Sequence, residues 1–373
     1  MKLKKIILVA FVCSLLISCS QQKTNTGNIE KIDFTDTKIE ETIDITNNFN
    51  CKPIILETKK NCLIGQIDKV IVKNGRIYIF DPNVSKCLFV FNIKGDFLFK
   101  ISPYGQGPGE ALSLSDFDIY KENIFILSPC DRKILNYDIN GHFKKEIRLK
   151  NYGNTNLKVF SEKLFMTSCC NSGTAVDFWN GKGKNIKSYD SKTLPKHINR
   201  GTLKELSVLK DSVFIQIPYN DTIFSITKNK ILTSSFYFDF GKKHFPIEMF
   251  KTEKLVNMES LKDKYDFLAS MAISENYIFC LLKRGKLATY FFYNRKTHEK
   301  KETKRLFYNG LMLFSIRGDY PNGLIFVSDS PILYNCVNKA EKYKGTNKKI
   351  LNINPEDNPV IFIVTEKNNK EVK

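Results

Sequence analysis

The sequence predicts an all-β fold, a six-bladed β-propeller with four-stranded blades, and three observations support this prediction. Phe (29) and Tyr (16) are abundant among the 373 residues, as is usual in strand-rich proteins. Apolar residues make up 42% of the chain, which is enough for a large core. A pattern of strands and turns recurs at a spacing in the forties, which is typical of propeller blades. Because one blade cannot bury both of its faces alone, such blades must stack around an axis.

The chain begins with a predicted signal peptide at residues 1–18. Lys2, Lys4 and Lys5 precede an apolar stretch at residues 6–17, which is too short to span a bilayer. The stretch ends in Ser18 and Cys19, which resembles the lipobox of bacterial lipoproteins and implies lipid attachment at Cys19. The alternative is an ordinary signal peptide with an incidental cysteine.

Residues 19–49 are predicted to hold the lipidated cysteine, a flexible polar tether and the first strand. The tether carries no acid before Glu30, which favours an outer-membrane location facing the periplasm over export to the cell surface. Residues 50–373 are predicted to form the propeller.

The mature chain is strongly basic. Removal of the three leader lysines lowers the formal net charge from +19 to +16. Such a surface would suit nucleic acid, but export removes that partner, so no nucleic acid is expected. Anionic lipid headgroups, lipopolysaccharide and acidic glycans are the candidate partners, and a lysine-rich surface that serves solubility alone is the alternative.

Eight of the ten cysteines lie beyond Cys19. Their spacings show neither C-x-x-C nor a zinc pattern. Cys51 and Cys62 flank a possible hairpin and are the best candidates for a disulfide, which an oxidising compartment would permit. Cys280 lies in an apolar run and is predicted to be a buried free thiol.

The first two blades show the repeat most clearly. Pro82 and Pro129 are 47 residues apart, and Gly95 and Gly141 are 46 apart. Both units consist of a strand, a turn, a strand, a Lys-Gly or Asn-Gly turn and a further strand, which predicts hairpins. Weaker copies continue to the strand at residues 360–364. A two-sheet sandwich would not explain the shared positions of proline and glycine.

Six blades of about 47 residues need about 280 residues, so the chain has a surplus, although this arithmetic does not exclude seven blades. Around residues 247–268, apolar side chains recur at spacings of three and four, which predicts one short amphipathic helix. These side chains are Leu255, Met258, Leu261, Tyr265 and Leu268. An N-terminal strand near residues 43–45 or 54–56 is expected to pair with the C-terminal strands and close the ring.

Six motifs occur here in an order that resembles the six-bladed β-propeller lipoproteins of Bacteroidetes, relatives of the NHL-repeat propellers. They are ILET at 55–58, LIGQI at 63–67, GQGPGE at 105–110, NDTIF at 220–224, FDFGK at 238–242 and DNPV at 357–360. The resemblance covers about residues 50–370. The NHL match is partial, because the unit after Arg148 lacks the glycine-rich loop.

That loop is the candidate functional segment, with Gly105, Gly107, Pro108, Gly109 and Glu110 as its candidate residues. It lacks the Gly-Lys-Ser/Thr ending of a phosphate-binding loop, and a strand rather than a helix follows it. The sequence therefore favours a tight turn between blades, with Glu110 capping free backbone amides.

The sequence shows no catalytic constellation. It contains no G-x-S-x-G elbow, and its four histidines do not fall at metal-ligand spacing. Six-bladed propellers of the lactonase kind hold Ca²⁺ with Glu, Asn and Asp, so Glu57, Asp81, Asn220 and Asp221 could point at the axis. Asp81 and Asp221 are more readily explained by bonds to turn amides, so no cofactor is expected.

The sequence favours a membrane-anchored binding or scaffold module for a protein or glycan partner in the cell envelope. The alternative is a Ca²⁺-dependent hydrolase or lyase acting at the mouth of the channel.

Overall fold

The computed structural model describes residues 29–150, 153–169, 174–190, 206–217, 219–246, 261, 263–338 and 347–367. These residues form six β-sheets arranged as the blades of a propeller, which confirms the predicted fold. Three N-terminal strands precede the first blade: β1 (Glu30–Asp33), β2 (Ile39–Asp44) and β3 (Phe49–Ile54).

Blades 1 to 3 are built from consecutive antiparallel strands, each blade running from its inner to its outer edge. Blade 1 contains β4 (Lys69–Lys73), β5 (Arg76–Asp81), β6 (Cys87–Asn92) and β7 (Phe97–Ile101). Blade 2 contains β8 (Asp116–Tyr120), β9 (Asn123–Ser128), β10 (Lys133–Asp138) and β11 (Phe143–Arg148). Blade 3 contains β12 (Asn154–Ser161), β13 (Leu164–Cys169), β14 (Thr174–Asn180) and β15 (Asn185–Asp190).

Blades 4, 5 and 6 each gain one N-terminal strand at the outer edge, namely β1, β2 and β3, respectively. Blade 4 contains β16 (Leu206–Leu209), β17 (Ser212–Gln216), β18 (Thr222–Ile226) and β19 (Leu232–Asp239). Blade 5 contains β20 (Asp266–Ile273), β21 (Tyr277–Arg284), β22 (Leu287–Asn294), β23 (Lys300–Tyr308) and the short β24 (Leu311–Leu313). Blade 6 contains β25 (Ser315–Tyr320), β26 (Gly323–Ser328), β27 (Val360–Glu366) and β3.

The core consists of six apolar clusters, one at each junction between neighbouring blades. Successive side chains of a strand point to opposite faces of its sheet. In β5, Ile77 and Ile79 therefore pack against blade 6, whereas Tyr78 and Phe80 pack against blade 2. The middle strands of a blade are thus apolar on both faces, which explains why the sequence shows continuous apolar runs there.

The predicted hairpins recur as one turn in blades 1 to 3. The side chain of Asn92 accepts hydrogen bonds from two backbone N–H groups, at Lys94 and Asp96, and Asp138 and Asn180 do the same in the next two blades. Each turn needs a glycine with positive φ, such as Gly95 at 96°. A Cβ on Gly95 would also lie 2.0 Å from the carbonyl oxygen of Ile55, so close packing excludes other residues.

The ring is closed by β3, which pairs antiparallel with β27 and places Ile54 opposite Ile361. This confirms the closure predicted near residues 54–56. The two preceding strands add a feature that the sequence analysis missed, since β1 pairs in parallel with β19 and β2 in parallel with β23. The N-terminal segment therefore covers the outer edges of blades 4 and 5, which would otherwise expose unpaired backbone groups.

The predicted helix at residues 247–268 lies mostly outside the described residues. Its last part is wrong, because Leu268 lies in β20 and is buried between blades 4 and 5. Two helices of the described chain lie elsewhere, between β26 and β27: α1 (Ser330–Asn338) and α2 (Lys348–Leu351). Neither combines the length and apolar character that crossing a bilayer requires.

The predicted bridge between Cys51 and Cys62 is wrong, because both are free thiols. Cys62 is buried and donates to the carbonyl oxygen of Glu57 at 3.3 Å, and Cys51 lies on β3, where burial raises the pKa of its thiol. Cys280 is a buried free thiol, as predicted.

Candidate functional site

A cavity of about 580 Å³ lies at the centre of the propeller and is called the axial cavity here. Its walls are the inner strands β4, β8, β12, β16 and β25 of five blades. Its volume falls within the range of small-molecule sites in proteins. We therefore treat the axial cavity as the candidate functional site.

Lysine side chains join blade 1 to blade 2 along the cavity wall. The Lys69 ammonium lies 2.8 Å from Asp116 Oδ1 and donates to the carbonyl oxygen of Phe117 at 2.8 Å. Four residues further along β4, Lys73 donates to the carbonyl oxygen of Ile119 at 2.8 Å. The side chains of β4 thus occupy backbone acceptors of β8.

Aspartate side chains join blade 2 to blade 3 in the same way. Asp116 Oδ2 accepts from the Leu157 N–H at 2.7 Å, and Asp118 Oδ2 accepts from the Val159 N–H at 2.8 Å. Lys158 lies 3.1 Å from Asp118 and balances its charge. Both carboxylates therefore serve as links between inner strands.

The two carboxyl groups differ in their electrostatic setting. Burial raises the pKa of Asp116 above its ordinary value, although the Lys69 ammonium favours the charged form. Burial has the same effect on Asp118, but there the ammonium groups of Lys158 and Lys69 and the Val159 N–H outweigh it and lower the pKa. Asp118 is therefore held as a carboxylate.

Blades 4, 5 and 6 meet at Asp319 of β25. Its carboxylate accepts from the Ser207 hydroxyl at 2.9 Å and from the Val208 N–H at 3.0 Å, both in β16. Ser207 in turn accepts from the Ile273 N–H of β20 at 3.0 Å. Asp319 thus links β25 directly to β16, and through Ser207 to β20.

Arg317 is the bulged residue of β25. The pairing of β25 with β26 shifts between Ile316 and Gly318, so Arg317 has no partner on β26 and lines the axial cavity instead. Bulges re-aim side chains in this way and are frequent beside functional sites. Burial lowers the pKa of the guanidinium, although Asp68 and Asp329 favour its charge.

The loop at residues 105–110 joins blade 1 to blade 2 and is the tight inter-blade turn that the sequence predicts. Glu110 Oε2 accepts from the Gly107 N–H at 2.7 Å, so Glu110 caps a backbone amide of the turn. Gly105 and Gly109 have positive φ, and the Tyr137 hydroxyl donates to the Gly109 carbonyl oxygen. None of the loop residues lines the axial cavity, and the first lining residue after the loop is Leu114.

The candidate Ca²⁺ ligands do not line the axial cavity. Glu57 accepts from the Phe97 N–H at 2.8 Å, and Asp81 accepts from the backbone amides of Gly65, Gln66 and Val84, as predicted for a turn. Within the described ranges, no three His, Cys, Asp or Glu side chains lie close enough together to hold a metal ion.

The prediction that Asp221 bonds turn amides is wrong, because no backbone amide of the described residues donates to its side chain. Asn220 bonds a turn amide instead, accepting from the Thr222 N–H at 2.9 Å. The Asp221 side chain is only 12% exposed and lies 3.9 Å from His244. Burial and the neighbouring Asp239 raise its pKa to about 7.

This raised pKa predicts a pH-dependent contribution to stability. The folded protein holds the Asp221 proton up to about pH 7, whereas the unfolded chain releases it near 3.8, so stability falls as the pH rises through this window. Asp221→Asn should therefore raise the free energy of unfolding at pH 8 by about 1–3 kcal/mol. Urea denaturation at several pH values should show this advantage shrinking towards pH 4, and an advantage of constant size would contradict the assignment.

Cys19 and the signal peptide precede the described residues, so lipidation stays a prediction. The cavity-wall residues were missed by the sequence analysis. A usable signal existed in β8, where Asp116 and Asp118 alternate with apolar Phe117 although aspartate is rare in strands.

Residues 29–365 match the model of a family described as a domain of unknown function, DUF4934. No protein of curated function matches the chain in sequence.

Two solved structures share its fold. A protein of Bacteroides fragilis NCTC 9343, named as an exported protein, aligns with a TM-score of 0.73 at 17% identity, over 91% of this chain and 100% of its own. A member of the DUF4221 family from Bacteroides vulgatus ATCC 8482 aligns with a TM-score of 0.52 at 9% identity, over 87% of this chain and 99% of its own.

A third structure, virginiamycin B lyase from Staphylococcus aureus, aligns with a TM-score of 0.43 at 12% identity, over 85% of this chain and 99% of its own. A likeness at that TM-score carries no argument about function.

Proposed function

This chain belongs to the DUF4934 family, and from that premise we propose that it is a lipid-anchored envelope protein whose propeller binds a protein or glycan partner without catalysing a reaction. The axial cavity is the proposed binding site. We also propose that it is related to the NHL-repeat propellers, which the partial motif at residues 105–110 supports.

The bonding of the cavity carboxylates is the observation that carries the proposal. Asp116, Asp118 and Asp319 each accept a backbone N–H from another blade. Both oxygens of each carboxylate already accept a hydrogen bond, so a proton transfer at these groups would compete with contacts that hold the inner strands in place. A rigid lining of this kind suits recognition better than turnover.

The proposed location rests on the sequence and on one related structure. The signal peptide and Cys19 favour lipid attachment after export, because several acyl chains on one cysteine anchor a protein firmly. The exported name of the Bacteroides fragilis protein with the same fold supports the same route. The polar tether favours the outer membrane, facing the periplasm.

The anchor is tested by Cys19→Ala. Since no thiol remains for the lipid, we expect the protein to move from the membrane fraction to the soluble fraction after cell lysis. Ser20→Ala, one residue further along, should leave the protein in the membrane fraction. Retention of the Cys19→Ala variant with the membranes would overturn the proposed anchor.

Binding is tested by crosslinking the full-length protein in cells and comparing it with Val208→Phe, which fills part of the axial cavity. We expect the wild-type protein to recover the same envelope partner in repeated experiments and the filled variant to lose it. Recovery of nothing above background by the wild-type protein would refute the binding role. Equal recovery by both proteins would place the site outside the cavity.

A further inference from the structure

Arg317 is a cation in the wall of the axial cavity. Among the residues that the structure describes, no carboxylate forms an ion pair with its guanidinium. Asp68, the first of the two acids that influence it, is already held by the side-chain amides of Gln66 and Asn83, each at 2.8 Å. Arg317 lines the cavity, so its guanidinium, which carries five N–H donors, can bind a ligand there.

The lysines that line the cavity are all held by other groups of the protein. Lys69 and Lys158 pair with Asp116 and Asp118, Lys73 donates to the carbonyl oxygen of Ile119, and Lys210 lies 3.1 Å from Glu275. Arg317 is therefore the cation of the lining most open to a ligand, and a single negative charge would match it, whereas a phosphate dianion would bring a second charge without a partner. Guanidinium binds a carboxylate through two parallel hydrogen bonds, which gives both strength and orientation.

Several backbone N–H and C=O groups of the cavity wall are already hydrogen-bonded to side chains of neighbouring blades. Lys69 and Lys73 take the carbonyl oxygens of Phe117 and Ile119, and the N–H groups of Leu157 and Val159 are taken by aspartates. An extended peptide that added itself as a strand would need such groups. The cavity therefore recognises its ligand through side chains, which disfavours a peptide strand.

Part of the remaining wall is apolar and suits the body of an organic molecule. Val70, Ile71, Leu206, Val208 and Tyr320 line the cavity together with Arg317. Apolar surface with one oriented polar anchor is the usual composition of a small-molecule site.

We propose that the axial cavity binds an organic carboxylate, either as a free acid or as the acidic end unit of a glycan, and that Arg317 holds the carboxylate group. This inference rests on the proposed binding role of the cavity and names the chemistry of its ligand.

The test is the thermal unfolding of the full-length protein in a non-ionic detergent with acetate, benzoate or D-glucuronate. Chloride and phosphate at equal ionic strength, and neutral D-glucose, are the reference solutes. A ligand that binds only the native state raises the unfolding temperature. We expect at least one carboxylate to produce a saturable rise that the reference solutes do not produce.

Arg317→Gln should weaken this binding about 10- to 100-fold, since a charged hydrogen-bonding partner is lost, and Arg317→Lys should weaken it less. The matched control is Arg305→Gln, which removes the same charge from an exposed site beside Glu41 and should leave binding unchanged. Equal unfolding temperatures of the variants in chloride would show that all of them fold.

The proposal is overturned if none of the three carboxylates stabilises the protein, if the rise persists in Arg317→Gln, or if phosphate gives an equal Arg317-dependent rise. A free acid as ligand predicts equal binding of D-glucuronate and its oligomers, whereas a glycan end predicts tighter binding of the oligomer. If crosslinking still recovers a partner with Arg317→Gln, the binding role stands and only the carboxylate inference fails.

Discussion

Arg284→Ala should destabilise the propeller by about 3–5 kcal/mol, because it leaves two buried carboxylates without their cation. The guanidinium bonds Glu302 through two nitrogens, both at 3.0 Å, and Asp266 at 2.9 Å. Glu302 is fully buried and Asp266 is nearly so. Nη2, one of the two nitrogens that bond Glu302, also donates to the carbonyl oxygen of Phe34 at 2.9 Å, so Arg284 ties the N-terminal segment to blade 5.

Urea denaturation of the wild type and the variant measures this loss. Arg305→Ala is the matched control, since its 3.8 Å pair with Glu41 is solvent-exposed and should contribute no more than about 1 kcal/mol. If Arg284→Ala does not fold, Arg284→Lys should still fold with a smaller loss of stability, because lysine keeps the charge but cannot form the two hydrogen bonds to Glu302. Equal losses for Arg284→Ala and Arg305→Ala would refute the buried network.

Gly318→Ala should destabilise the protein by about 1–3 kcal/mol by forcing blades 6 and 1 apart. A Cβ at this position would lie 2.3 Å from the carbonyl oxygen of Val70 and 3.0 Å from the Ile325 side chain. Because Val70 belongs to β4, its carbonyl oxygen can move only if the inner strand of blade 1 moves. The backbone of Gly318 does not require positive φ, so the expected loss is steric alone.

Thermal unfolding tests this close approach of the two strands. Gly107→Ala is a suitable control, because its Cβ would meet only the Glu110 side chain, at 3.1 Å, and should cost much less. Since Gly318 follows Arg317, the variant should also alter carboxylate binding in the axial cavity. An unfolding temperature equal to that of the wild type would contradict the contact between β25 and β4.

Local patterns predicted the blades because a blade is built from neighbouring segments. The turns at Gly95 and Gly141 and the apolar runs of β5 and β9 depend on a few consecutive residues, and their spacing revealed the repeat. The same approach failed for α1 and α2, which interrupt the last blade between β26 and β27. Pro331 in the first turn of α1 was a usable signal, since proline favours that position in helices.

The candidate site was poorly predicted because its residues come together from distant parts of the chain. Lys69 and Asp116 are 47 residues apart, and Ser207 and Asp319 are 112 apart. Glu57 and Asp81 are candidates for the axis by residue type, yet backbone amides away from the axial cavity bind both. Nothing in the sequence near Asp319 indicates that it contacts blade 4.

The sequence by itself determined the strands, the hairpin turns and the repeat, because backbone propensity and the two-residue alternation of a strand act over short distances. It also indicated that an N-terminal strand closes the ring, although it left two candidates for that strand. Only the tertiary structure decided which polar side chains face the cavity and which of them remain without a partner. The physical reason is that the partners of Asp116, Asp118 and Asp319 are contributed by other blades, and their distances depend on how all six blades pack.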